Sequence, residues 1–86
     1  MTNIEKYKLS FKESLSINDN DISEKLEYNG IPEWDSIGHM TLMSKLEEEF
    51  DISLETDDIV DFSSFTKGIE ILTKYKVDIK LIFNVL

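Results

Sequence analysis

The chain has 86 residues, which is one small domain and too small to enclose a large substrate cavity with a full catalytic apparatus. It contains no cysteine, so disulfides and thiolate metal sites are excluded. The formal charge is −9, and the segment 33–61 alone holds ten acidic residues against Lys45. This acidic middle third repels nucleic acid and anionic lipid and attracts basic protein surfaces, although an acidic surface can also serve only solubility.

The sequence shows no basic stretch followed by an apolar segment at its start, and its apolar runs are far shorter than the roughly 18 residues of a membrane span. We therefore expect neither a signal peptide nor a membrane span. The expected state is a cytoplasmic monomer.

The first predicted helix runs from Asn3 to Ser16. Thr2 or Asn3 is suited to cap its start, and Glu5 in the first turn complements the helix dipole. Its apolar residues recur at spacings of three and four, as on one face of an amphipathic helix, at Ile4, Tyr7, Phe11 and Leu15.

Residues 17–35 read as a long loop, because a polar run at 18–21, Gly30 and Pro32 interrupt any helical period. Four apolar residues are expected to hold this loop against the core, namely Ile22, Leu26, Tyr28 and Ile31. A structureless loop of this length is unusual in a compact domain and is often functional.

The second predicted helix, from Ser36 to Phe50, has the clearest apolar stripe, formed by His39, Leu42, Met43, Leu46 and Phe50. Asp35 or Ser36 is a good N-cap, and Trp34 is placed to pack against the first turns. A short third helix is predicted near Asp57–Asp61 with Thr56 as its cap.

A fourth helix is predicted after Ser64, with Phe65, Ile69, Leu72 and Tyr75 facing inward. The resulting fold class is all-α, a four-helix bundle in which residues 1–76 form the domain. The tail 77–86 alternates like a strand and also continues the helical stripe, so periodicity leaves it open. We predict an extension of the fourth helix there.

Catalytic and metal-binding patterns are weak. His39 is the only histidine, and although it lies three residues after Ser36, no glycine-rich turn supplies an oxyanion hole. A packing histidine is therefore favoured over a hydrolytic dyad, and we expect a protein that is not an enzyme. Residues 19–21 resemble the opening of a calcium loop but lack its glycine and its final glutamate, so no metal site is predicted.

The tripeptide Asp35-Ser36-Ile37 places an exposed serine at the start of a helix, where N-capping alone would explain it. Its surroundings indicate more. The run from Glu33 to Met40, followed by the segment 46–51 (LEEEFD), closely resembles the acyl carrier protein family. The resemblance extends in order from about Ile4 to Tyr75 and does not include the tail.

The resemblance implies a carrier of acyl groups, held as thioesters on a 4'-phosphopantetheine arm. A phosphopantetheinyl transferase would move that arm from coenzyme A to Ser36, and acyl-loading and acyl-transferring enzymes with basic docking surfaces would follow as partners. The acidic second and third helices would then be read by those partners. The contacts expected from this reading are Asp35, Ile37, Met40, Glu47, Glu48, Asp57, Asp58 and Asp61.

Several positions depart from the members that serve fatty acid biosynthesis. Those members usually have an acidic residue two and five positions after the serine, where this chain has Gly38 and Thr41. They commonly have a methionine eight positions after it, where this chain has Ser44, and the bulky Trp34 precedes Asp35 here. These differences favour a specialised pathway, such as polysaccharide, lipid-modification or secondary-metabolite synthesis. An aminoacyl or peptidyl carrier of the same architecture and an unmodified acidic adaptor remain the alternatives.

The interior is expected to be too well filled to shelter a long acyl chain. The space such a chain would use lies among residues that are largely aromatic, namely Tyr7, Tyr28, Leu46, Ile59 and Phe62. Opening a densely packed core forfeits contacts on every wall, so we expect short or polar acyl groups carried largely exposed.

Overall fold

The structure, a computed structural model, describes residues 1–79. It contains four α-helices and one 3₁₀ turn, in the order α1 (Asn3–Leu15), the turn (Asp19–Asp21), α2 (Ser36–Phe50), α3 (Thr56–Asp61) and α4 (Phe65–Lys74). No strand occurs within residues 1–79, which confirms the all-α prediction for that range. In the same part of the chain no helix is long and apolar enough to cross a membrane.

α1 begins where its sequence predicts, because Thr2 and Glu5 form a reciprocal capping box. The helix ends at Leu15, where Ser16 adopts a left-handed conformation with φ 56°. Tyr7, Phe11 and Leu15 are buried on the face that packs against α2. The predicted apolar stripe is therefore the face that contributes to the core.

The long loop between α1 and α2 is fastened to the start of α4. The backbone N–H of Tyr28 donates to the Ser63 carbonyl, and the N–H of Phe65 donates to the Leu26 carbonyl. Leu26 is buried, whereas Ile22 and Ile31 are half-buried and Tyr28 is 37% exposed. The loop is thus held against the core as predicted, and backbone hydrogen bonds attach it as well as side chains.

α3 lacks the cap that its sequence suggests. The helix begins at Thr56 itself, so the N-cap position is Glu55, and the Glu55 side chain makes no capping hydrogen bond. The prediction of Thr56 as the cap was therefore wrong. α4 is capped by Ser64, whose hydroxyl accepts from the Lys67 N–H.

The inward face of α4 is broader than predicted. Phe65 and Leu72 are buried, but Ile69 and Tyr75 are only half-buried, while Gly68 and Ile71 join the buried face. Gly68 is packed so closely that an added Cβ would lie 2.2 Å from the Phe62 ring. The helix therefore approaches the core through a position without a side chain.

The predicted extension of the fourth helix is wrong for residues 77–79. α4 ends at Lys74, and Lys76 has a left-handed backbone with φ 67°, which a continuing right-handed helix cannot contain. Val77 and Ile79 are nevertheless buried against the core. The rest of the predicted extension, residues 80–86, lies outside the described residues.

Candidate functional site at Ser36

Ser36 is the first residue of α2 and is exposed. Asp35, rather than Ser36, is the N-cap, since its carboxylate accepts from the Gly38 N–H at 2.9 Å. The Ser36 hydroxyl makes no hydrogen bond to any of residues 1–79, and neither do the backbone N–H groups of Ser36 and Ile37. The serine is thus positioned by the helix start, while its own oxygen is left available.

The α2 backbone lies close to the preceding loop at Gly38. A Cβ added there would lie 2.3 Å from the Glu33 carbonyl oxygen, far inside van der Waals contact. This explains the departure noted above, because no acidic side chain could occupy the second position after Ser36 without moving the loop. Gly38 therefore keeps residues 33–35 tight against the helix start that presents Ser36.

A cleft of about 350 Å³ opens beside Ser36, between α2, α3 and the long loop. Its walls are mainly apolar, and its lining residues are Tyr28, Ser36, His39, Met40, Ile59, Val60, Phe62 and Ser63. Of the five residues predicted to surround the cargo space, Tyr28, Ile59 and Phe62 line this cleft. Tyr7 and Leu46 are instead fully buried and do not line it. Val60 and Ser63 were not singled out from the sequence.

His39 forms part of the cleft wall and is held by both ring nitrogens. The Trp34 indole Nε1–H donates to His39 Nδ1 at 2.9 Å, so Nδ1 is an acceptor. Nε2 must then carry the proton, and it donates to the Ile59 carbonyl at 2.8 Å. With neither nitrogen available to Ser36, the arrangement agrees with a packing histidine and gives Ser36 no general base.

Two exposed apolar side chains line the cleft, Val60 at 74% and Met40 at 53% exposure. Ile37, the residue after Ser36, is 77% exposed. Single exposed apolar residues are ordinary, but several near one serine form a surface suited to a protein or ligand contact. The acidic residues Glu48, Asp57 and Asp61 are exposed on the same two helices.

Two of the predicted partner contacts, Asp58 and Glu47, make hydrogen bonds within the fold. Asp58 is only 7% exposed and accepts hydrogen bonds from Lys74 and from the Tyr75 hydroxyl. Glu47 is half-buried and accepts from the Leu54 N–H at 2.8 Å, which secures the segment after α2. Both carboxylate oxygens of Asp58 and one of Glu47 are therefore engaged within the fold, and the recognition role of these two residues stays a prediction. The sequence gave no sign of these contacts, because the partners lie 7, 16 and 17 residues away in the chain.

Asp58 joins α3 to α4 through an ion pair. The hydrogen bond from Lys74 is the main cause that holds the pKa of Asp58 below its usual value, and the Tyr75 hydroxyl adds to it. The same bond raises the pKa of Lys74. Tyr75 in turn accepts from the Glu55 N–H at 2.9 Å, so the network also supplies a partner at the uncapped start of α3.

We expect Asp58→Asn to destabilise the fold at neutral pH and to do so less in acid. A depressed carboxyl pKa stabilises the folded state above the unfolded-state pKa of about 3.9, and this contribution is lost as the pH falls through the lowered folded-state value. The measurement is urea unfolding at pH 7 and near pH 3. Asp61→Asn, an exposed carboxylate on the same helix, is the control. A deficit of equal size at both pH values would contradict the assignment.

Comparison of the chain with protein-family models, with curated proteins and with solved structures finds no match. Among residues 1–79, no group of three or more histidine, aspartate or glutamate side chains is arranged to hold a metal ion. The features available for assigning a function are therefore the free serine, the cleft beside it and the acidic surface of α2 and α3.

Proposed function

We propose that this protein is an acyl carrier protein, a cytoplasmic carrier that is not itself an enzyme and has the carrier-type helical bundle. The observation that carries the proposal is the Ser36 hydroxyl. It is exposed, has no hydrogen bond within residues 1–79, starts a 15-residue helix and borders an apolar cleft. It also lies in the segment that resembles the family's modified serine.

The residues present fit a 4'-phosphopantetheine group. On a transferase, the Ser36 oxygen would bond to the phosphorus of coenzyme A that bears pantetheine, its proton would pass to a base, and adenosine bisphosphate would leave. The N–H groups of Ser36 and Ile37, which have no hydrogen-bond partner among residues 1–79, suit a phosphate at this position, because the start of a helix favours negative charge. The group's terminal thiol supplies the chemistry, since it holds acyl cargo as a thioester.

The rest of the surface suits a carrier that binds many partner enzymes transiently. The exposed acids Asp57, Asp61 and Glu48 attract basic docking surfaces over a distance, which speeds association. Ile37 and Met40, close to the serine, supply apolar contact once the partners meet. Asp35, the N-cap of α2, keeps the start of the helix in place beside Ser36.

The direct test is the intact mass of the protein after incubation with coenzyme A and a broad-range phosphopantetheinyl transferase. A gain of one phosphopantetheine per chain is expected. A chain that stays unmodified with several transferases would contradict the proposal and favour the unmodified acidic adaptor.

Reversing Glu48, Asp57 and Asp61 to lysine together should slow association with the transferase by about tenfold or more at low salt, because electrostatic steering acts on the association rate. The wild-type rate should fall steeply as salt rises. Stopped-flow association kinetics over a salt series provide the measurement. The stability of the fold should change little, since exposed charges contribute little to it.

The matched control reverses Glu24, Glu27 and Glu70, which are exposed and lie outside α2 and α3. The change in net charge is the same. Equal slowing of association in both triple variants would mean that only the total charge matters. Association rates that do not depend on salt would mean that partners recognise Ile37 and Met40 rather than the acidic residues.

A further inference from the structure

The cleft beside Ser36 has a rim and a floor of different chemistry. Its rim consists of apolar side chains on α2 and α3, including Met40, Ile59 and Val60. Its inner side contains the His39 imidazole, which is polar and fully hydrogen-bonded. A ligand can therefore rest against the rim without disturbing any hydrogen bond.

His39 is held from three directions by aromatic rings. The Trp34 ring stacks on it with an interplanar angle of 20°, and the rings of Tyr28 and Phe62 meet it edge-on with centroids 5.3 and 6.1 Å away. Its Nε2–H spans from α2 to the Ile59 carbonyl of α3. A chain that enters between these two helices must break this bond, which leaves the half-buried Ile59 carbonyl with only the longer, 3.4 Å hydrogen bond from the Phe62 N–H.

Behind His39 the interior is filled. Trp34 and Phe11 are fully buried, and Phe62 is 1% exposed. Their rings contact one another, with centroids 5.3 Å apart for Phe11 and Trp34 and 6.4 Å apart for Phe11 and Phe62. An aliphatic chain would have to displace packed rings as well as the hydrogen bond, and dense packing gives it no void to enter.

We infer that His39 closes the interior of the protein to acyl cargo on Ser36. The hydrogen bond from His39 to Ile59 closes the passage between α2 and α3, so the first atoms of any acyl chain lie along the rim and the rest of a longer chain stays in solvent. This inference rests on the proposed carrier function and says where its cargo is held.

The test loads Ser36 from acetyl-, hexanoyl- and decanoyl-coenzyme A and follows thioester hydrolysis, melting temperature and the NMR signal of the Trp34 indole N–H. In the wild type all three readouts should be independent of chain length. His39→Ala should slow decanoyl hydrolysis relative to acetyl by roughly two- to tenfold, the factor that one lost neutral hydrogen bond represents. The Trp34 signal should also shift with chain length in that variant.

Two conservative variants separate the two hydrogen bonds of His39. His39→Gln keeps an amide N–H near the position of Nε2 and should behave as the wild type, whereas His39→Asn keeps an acceptor for Trp34 only and should behave like His39→Ala. Met40→Ala removes volume from the rim without touching the bond and should show no dependence on chain length. A merely structural histidine would lower stability without changing the ranking of cargo lengths.

Protection that rises with chain length in the wild type as much as in His39→Ala would overturn the inference, whether or not the variants fold well. If Ser36 accepts no arm at all, the carrier proposal fails, and the cleft is then tested in the unmodified proteins with the neutral apolar dye Nile red. Tighter dye binding by His39→Ala than by the wild type would support His39 as the closing residue, and equal binding would refute it.

Discussion

Ser36→Ala is expected to abolish phosphopantetheine attachment completely while leaving the fold intact. The side-chain oxygen is the atom that would bond to phosphorus, and alanine has no equivalent. Because Asp35 is the N-cap of α2, the serine contributes no capping bond, and the loss should stay within about 0.5 kcal/mol. Intact mass and helical circular dichroism give the two measurements.

The control for this variant is Ser63→Ala. Ser63 is exposed and lines the same cleft, but it lies outside the segment that resembles the family's serine. The Ser63→Ala variant should receive phosphopantetheine on Ser36 just as the wild type does. Attachment that persists in Ser36→Ala and disappears in Ser63→Ala would show that another serine of the cleft carries the arm.

Trp34→Ala is expected to cost about 3–5 kcal/mol of unfolding free energy, the range for truncating a large buried aromatic residue. Trp34 is fully buried, and its ring contacts Phe11, Tyr28 and His39. A domain of 86 residues has a total stability of about 4–13 kcal/mol, so this one change removes a large share of it. Urea unfolding followed by circular dichroism measures the effect, since the variant has no tryptophan to report by fluorescence.

Trp34→Phe separates packing from hydrogen bonding at this position. It keeps an aromatic ring but removes the N–H that donates to His39, so the expected loss is about 1–3 kcal/mol. Met40→Ala, half-exposed at the same cleft, should change stability far less. A loss in Trp34→Ala no larger than in Met40→Ala would mean that Trp34 does not anchor the loop to the core.

Much of the architecture could be predicted from local signals in the sequence. The bounds of α2 coincide with the prediction, because the apolar stripe and the aspartate before it are local signals of a helix and its start. The Thr2 capping box did the same for α1. The signals that start a helix lie within one or two turns of each other in the chain, so they can be recognised in a single sequence.

The end of α4 and the cap of α3 were mispredicted for the opposite reason. The apolar pattern after Tyr75 suits a helix, yet the chain turns at Lys76 so that Val77 and Ile79 can be buried. α3 begins without a side-chain cap because the Tyr75 hydroxyl, twenty residues away, accepts from Glu55. Tertiary contacts overrode local preference at both places.

The sequence by itself determined where α1 and α2 begin, where the negative charge is concentrated and which serine opens α2, because each depends on neighbours in the chain. Only the tertiary structure decided the roles of individual polar groups. Asp58 and Glu48 are both acids on a predicted acidic surface, but Lys74 and Tyr75 enclose the first while the second faces solvent. His39 likewise became a bridge to Ile59 because the fold brings α3 against α2. A polar side chain's function depends on what lies across from it, and residues distant in sequence supply that partner.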